Sequence, residues 1–175
     1  MDLIQIGSDL LTALRDKGWN IQLSDSREPL LPPDLQRRYP RVPVELTDFL
    51  ERLESCVNAD ENIWFLCRED FRRTDDQSFR WNELELMGLE TDDVELQTKT
   101  REFWDMHLPF MLATHSDYDY LAVNLGERSY GAIVHGCAPE MEETSVIAPS
   151  FAQFLTLFSE TAAGRRDRYP LTSFV

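Results

Sequence analysis

Between Phe103 and Glu160 the hydrophobic period changes twice, and that change limits the folds open to this chain more than any other feature. Tyr118, Tyr120 and Ala122 alternate with Asp119, Leu121 and Val123, the period of two that sends neighbouring side chains to opposite faces of a sheet. Gly126 to Ser129 offers a turn, and Tyr130 to His135 a returning strand. An acidic loop follows. From Ser150 the period becomes helical: Ser150 is a cap with Gln153 three residues on, and Phe151, Phe154, Leu155 and Phe158 fall at i, i+3, i+4 and i+7. A helix with a single apolar stripe needs a sheet to cover, so the segment predicts an antiparallel strand pair with a helix packed on one face.

The rest of the chain extends that layout. Leu3, Ile6, Leu10 and Leu14 share one helical face that ends at Gly18. Pro29 to Pro33 breaks the chain, and Pro40 and Pro43 bracket a second helix with Leu46, Phe49, Leu50 and Leu53 on its apolar face. Asn62 to Cys67 reads as a strand, and Asp92 or Asp93 as the cap of a helix running through Phe103 and Trp104. No internal repeat or linker divides the chain. The expectation is one α+β domain over residues 1–175, an antiparallel-rich mixed sheet with helices packed on it. At this length about 70% of the unfolded surface is buried, enough for a core without staples.

Cys56, Cys67 and Cys137 are odd in number and form no CxxC pair, the pattern of free thiols in a reducing compartment. The first residues carry acids where a signal peptide carries bases, and no stretch approaches the roughly 18 apolar residues of a membrane span. The expected location is the cytoplasm.

The net charge is −15, and its distribution says more than its total. Trp81 to Gly164 holds 15 acids and 3 bases, a net of −12; the remaining residues hold 17 acids and 14 bases, a net of −3. A field of that sign repels phosphate backbones and anionic lipid and attracts cationic surfaces, so the expected partner is a basic protein, with no direct nucleic-acid or membrane binding. Solubility alone is the competing explanation.

Signs of catalysis are weak. His107, His115 and His135, with Asp117 and Cys137, are ligand types that zinc accepts, but no spacing matches a zinc signature. Asp117-x-Asp119 has the form of a metal-binding DxD, for which a solvated strand edge is the simpler reading. There is no G-x-S-x-G, Gly-rich phosphate loop or HExxH, and Cys137 lacks the neighbourhood of a catalytic thiol. Cys56, Cys67, Trp64, Trp81 and Trp104 read as core residues. The expectation is a non-enzyme without metal or cofactor.

Two acidic stretches remain, ELELMGLETDDVE and APEMEE. Solvated ends are the plain reading. The sharper one gathers Glu90, Asp92, Asp93 and Glu95 with Asp117, Asp119, Glu140, Glu142 and Glu143 around one surface as a docking site for a basic partner.

Several segments together resemble the SUKH superfamily of bacterial toxin-immunity proteins and fungal cell-wall-assembly regulators. They are His107 to Phe110, the Tyr-rich strand Tyr118 to Val123, the Gly-containing return Gly131 to Gly136, the acidic loop Pro139 to Glu143 and the helix start Ser150 to Leu155. LPPDLQRRYPRVPVELTDFL is similar to the family's entry segment, with Phe49 and Leu50 at its end, and ENIWFLCREDF and the Trp81 segment extend the likeness over roughly Leu30 to Thr161. The resemblance implies a SUKH-like fold and an immunity protein that neutralises a cognate polymorphic toxin, a basic domain of nuclease or other cytosol-acting type, by direct contact. The alternative it carries is a regulatory or scaffolding protein of the same fold. A small hydrolase using two of the acids is a third reading. The oligomeric state is left open.

Overall fold

The computed structural model describes residues 3–75, 79–115 and 117–175. Among these residues seven strands form one sheet in strict chain order: β1 Asn20–Leu23, β2 Leu53–Val57, β3 Ile63–Phe65, β4 His107–Ala113, β5 Asp119–Asn124, β6 Ile133–Cys137 and β7 Ser145–Ala148. All six pairings are antiparallel, so the antiparallel-rich sheet expected is a meander, with no parallel pair among the described residues. Even the connection from β3 to β4, which holds three helices, returns the chain beside its predecessor in the opposite direction. The helices are α1 Leu3–Asp16, α2 Pro33–Arg38, α3 Val44–Leu50, α4 Arg68–Arg72, α5 Glu83–Leu89, α6 Val94–Asp105 and α7 Phe151–Ala162. The α+β class stands.

Helices cover both faces of the sheet. On one face the α7 stripe meets the strands through aromatic rings: Phe154 lies 5.3 Å from Phe110 of β4, and Phe158 6.2 Å from Phe65 of β3. Phe49 of α3 joins them at 5.6 Å from Phe65. On the other face Trp104 of α6 packs 5.0 Å from Tyr120 of β5. The two central strands are therefore covered on both sides, and all seven residues of β4 are buried.

The paired strands form as expected, with Leu121 opposite His135 and Val123 opposite Ile133. Their ends differ. The return strand starts at Ile133, because Glu127–Ser129 forms a 3-10 turn and Gly131 takes the left-handed backbone, φ +83°, that closes the loop. The second helix stops at Leu50. Leu53 is fully buried but opens β2 opposite Leu23, its side chain serving the sheet rather than a helix face. Ser150 caps α7 by accepting from the Gln153 N–H, and Asp93 caps α6 by accepting from the Glu95 and Leu96 N–H groups.

Buried polar groups tie the helices together. Arg38 of α2 donates to both carboxylate oxygens of Glu85 in α5, at 2.7 and 2.9 Å, and to Asp105 at the end of α6 at 2.9 Å. Burial disfavours the guanidinium, but these carboxylates outweigh it and hold its pKa above the ordinary value. The Tyr39 hydroxyl donates to the Trp104 carbonyl at 2.8 Å. Cys56 and Cys67 are buried free thiols; burial pushes Cys56 up to about 12 and Cys67 in the same direction, so neither is a thiolate near neutrality. Among the described residues no helix is long and apolar enough to cross a membrane.

Candidate functional site

The face bearing α6 brings two acidic segments together. Glu90 follows α5 as its C-terminal cap and is exposed, as are Asp92 and Asp93 in the short link to α6. Asp93 spends part of its carboxylate on the N–H groups of Glu95 and Leu96, at 2.9 and 3.1 Å. The positive end of the α6 dipole lies under these acids and offsets some of their mutual repulsion. Glu95 turns back to Lys99 at 2.7 Å; that hydrogen bond and the ammonium charge lower its pKa. Lys99 thus neutralises Glu95 locally, and Glu90, Asp92 and Asp93 carry the field of this end. Val94 and Leu96, between them, are 73% and 43% exposed.

The second segment is the loop between β6 and β7. The Thr100 hydroxyl of α6 donates to Glu142 at 2.9 Å, pinning the loop to the middle of that helix. Seven residues separate Asp93 from Thr100, about 10 Å along the axis. That exceeds the ~8 Å Debye length at physiological salt, so the two groups of acids act together on an incoming charge chiefly at low ionic strength. Tyr120 anchors the loop from beneath: its hydroxyl donates to the Met141 carbonyl, its side chain is wholly buried, and burial holds its pKa well above the ordinary tyrosine range. Glu140 and Glu143 are exposed on the same loop, with the Glu143 N–H donating to the Glu140 carbonyl at 3.0 Å.

Gly136 makes the Tyr120 anchor possible. It lies opposite Tyr120 in the β5/β6 ladder, and a Cβ there would overlap the tyrosine hydroxyl and ring, falling 2.7 Å from Cε1. Its backbone is not left-handed, so the glycine is needed for space alone.

Asp119 leaves the group. It starts β5 one residue before Tyr120 and so faces the α7 side, where its carboxylate meets His135 Nε2 at 2.7 Å. His135 packs against Phe174 and Tyr169 of the C-terminal segment, with ring centroids 6.0 and 6.2 Å away. The solvated strand edge expected for Asp117-x-Asp119 is replaced by a half-buried acid and, at Asp117, an exposed residue before the strand begins. Cys137, opposite Asp119 in the ladder, has its thiol pKa raised by partial burial and then by the charges of Asp119, Asp117 and Glu140, the reverse of what a nucleophilic cysteine needs. Among the described residues no three His, Cys, Asp or Glu side chains are grouped to hold a metal ion.

Thr100, Tyr120, Gly136 and Met141 shape the acidic face without being acidic, and sequence reasoning did not assign them to it. The one signal was the glycine in an otherwise β-rich return strand, a mark of close approach. Set beside known proteins, the chain matches no family model, no curated protein and no solved structure.

Proposed function

We propose that this chain is a non-enzymatic binding protein whose α6 face docks a basic protein domain, and that it is a SUKH-type immunity protein acting on a cognate toxin in the cytoplasm. The observation that carries the reading is the Thr100–Glu142 hydrogen bond, which makes one acidic surface of two segments 42 positions apart. Exposed Val94 and Leu96 give that surface apolar anchors among the charges, the combination that a specific interface needs and a merely solubilising surface does not. The toxin assignment comes from the sequence resemblance: a nuclease-type toxin presents a cationic cleft, and an acidic face can occupy it in place of nucleic acid. Long-range attraction lifts association above the neutral range of about 10^5 to 10^6 M⁻¹ s⁻¹, which matters when the target acts on its own cell.

The test is association kinetics, at low and high salt, with whatever toxin domain a neighbouring gene encodes. Changing Glu140, Glu142 and Glu143 to Gln, or Asp92 and Asp93 to Asn, should slow association and flatten its salt dependence while leaving the fold intact. Val94→Ala with Leu96→Ala should mainly speed dissociation. Unchanged rates in all three sets, with binding equally insensitive to salt, would exclude the α6 face. A neighbouring gene that encodes no toxin, with capture of a cellular regulator instead, would move the function to scaffolding.

A further inference from the structure

On the other side of the sheet from the acidic face, a cavity of about 510 Å³ opens between α1, the end of β1, α3 and α7. Its floor is apolar, with Leu11, Phe49 and Leu155 among its residues, its rim is polar, and its mouth exposes Ile4 and Leu23 at 56% and 61%. Exposed alone such side chains are ordinary, but here they continue a concave apolar surface, and contiguous exposed apolar surface marks an interaction site. β1 borders the cavity and, among the described residues, is an edge strand paired with β2 alone. The opposite edge of the sheet is blunted, because Arg168 donates to the Ile147 carbonyl of β7 at 3.0 Å.

The rim carries Arg15 and Arg52 with Asp25 and Asp48, two charges of each sign. None of the four makes an ion pair among the described residues. In a chain of net charge −15, an uncompensated surface with no net charge of its own does not select a basic partner. It does match itself: across a two-fold axis the same patch meets its copy, cations can face anions, and the two apolar mouths close on each other. The sheet lies between this face and the α6 acids, so a contact here also keeps the two most acidic surfaces apart.

We infer that this face is where two copies of the chain meet, as an isologous dimer that leaves both acidic faces outward. The inference is independent of the function proposed for those faces. Sedimentation of the full chain over about 1 to 100 µM, the range that reads a micromolar contact, should show the mass rising from 20.4 kDa toward twice that value. Leu23→Lys and Ile4→Glu, both at exposed positions, should each weaken the dimer at least ~10-fold with circular dichroism and melting unchanged.

The decisive experiment uses two charge sets. Arg15→Asp with Arg52→Asp makes the rim wholly acidic, and Asp25→Arg with Asp48→Arg makes it wholly basic. Each protein alone should be monomeric, and an equimolar mixture should form a heterodimer. A wild-type chain that stays monomeric throughout the concentration range overturns the inference. So does a dimer untouched by Leu23→Lys and Ile4→Glu, or a mixture of the two folded charge sets that does not associate.

Discussion

Replacing Gly136 with Ala tests the link between the core and the acidic face at one atom. The added Cβ would fall 2.7 Å from Tyr120 Cε1 and closer still to the hydroxyl end of the ring. Tyr120 has nowhere to retreat: it is 0% exposed, its ring packs 5.0 Å from Trp104, and its hydroxyl is bonded to Met141. Overpacking a closed core costs about 1 to 3 kcal/mol. Displacing the hydroxyl adds about 1 kcal/mol for the lost hydrogen bond. The expected loss is therefore about 3 kcal/mol, which for a domain of this size lowers the melting temperature by roughly 6 to 12 °C. The control is the same substitution in a Tyr120→Leu background. With the ring gone, alanine in an ordinary strand conformation is favoured over glycine by about 0.5 to 1 kcal/mol, so the effect should vanish or change sign. Thermal and urea melts of the four proteins give the coupling directly. A Gly136→Ala chain as stable as wild type, or one destabilised equally with and without Tyr120, would refute the argument. Because Tyr120 holds Met141, the single variant should also loosen the loop, read as faster amide exchange from Glu140 to Glu143.

Three further outcomes follow from the packing. Phe154, 0% exposed and ringed by Phe110, Phe151 and Phe158, should cost about 3 to 5 kcal/mol on truncation to Ala, checked by urea unfolding. His107 is held neutral: its Nδ1–H donates to the Phe103 carbonyl at 2.8 Å, Nε2 accepts from Asn124 at 2.9 Å, and burial lowers its pKa. The unfolded chain therefore takes up a proton that the fold refuses, and stability should fall as pH drops below the ordinary histidine value of about 6.5. The slope reaches at most about 1.4 kcal/mol per pH unit from this group, and a His107→Gln chain should lose that part when the two are melted from pH 7.5 to 5. Glu85→Ala strands Arg38, and since Arg38 keeps Asp105 and some water the loss should be up to about 3 kcal/mol, with Arg38→Met/Glu85→Leu recovering much of it in melts.

The elements legible in the sequence are those whose burial is one-sided or whose ends are chemically marked. α1 and α7 each bury a single stripe, and Asp93 and Ser150 cap the helices expected of them. β4 is buried on both faces, so its seven residues show no alternation, and the strand at the middle of the sheet carried no period to read. α2, α4 and α5 run five to seven residues, too short to display a helical period, and β1 and β2 are short strands beyond the reach of the same test. At the site, the acids themselves were visible. Their gathering on one surface was expected, but the means of it was not, because it depends on a threonine 42 positions from its glutamate and on a tyrosine whose packing room is set by a glycine across the ladder. Asp119 was misplaced for the same reason, its partner His135 being supplied by the neighbouring strand.

Those anchors bear on how the acidic face works. Six carboxylates, Glu90, Asp92, Asp93, Glu140, Glu142 and Glu143, repel one another wherever they gather, and a loop free to move would spread its three charges apart. Here the loop is fastened twice, by Tyr120 through Met141 from below and by Thr100 through Glu142 from the side. The cost of holding like charges together is thus met during folding, by a wholly buried tyrosine and its packing, rather than at the moment of contact. On the function proposed above, a basic partner would meet charges already in place and lose less in ordering them, which would favour tight binding. The anchors are themselves uncharged: a cation in their place would hold the loop equally well and cancel the negative field of its three glutamates.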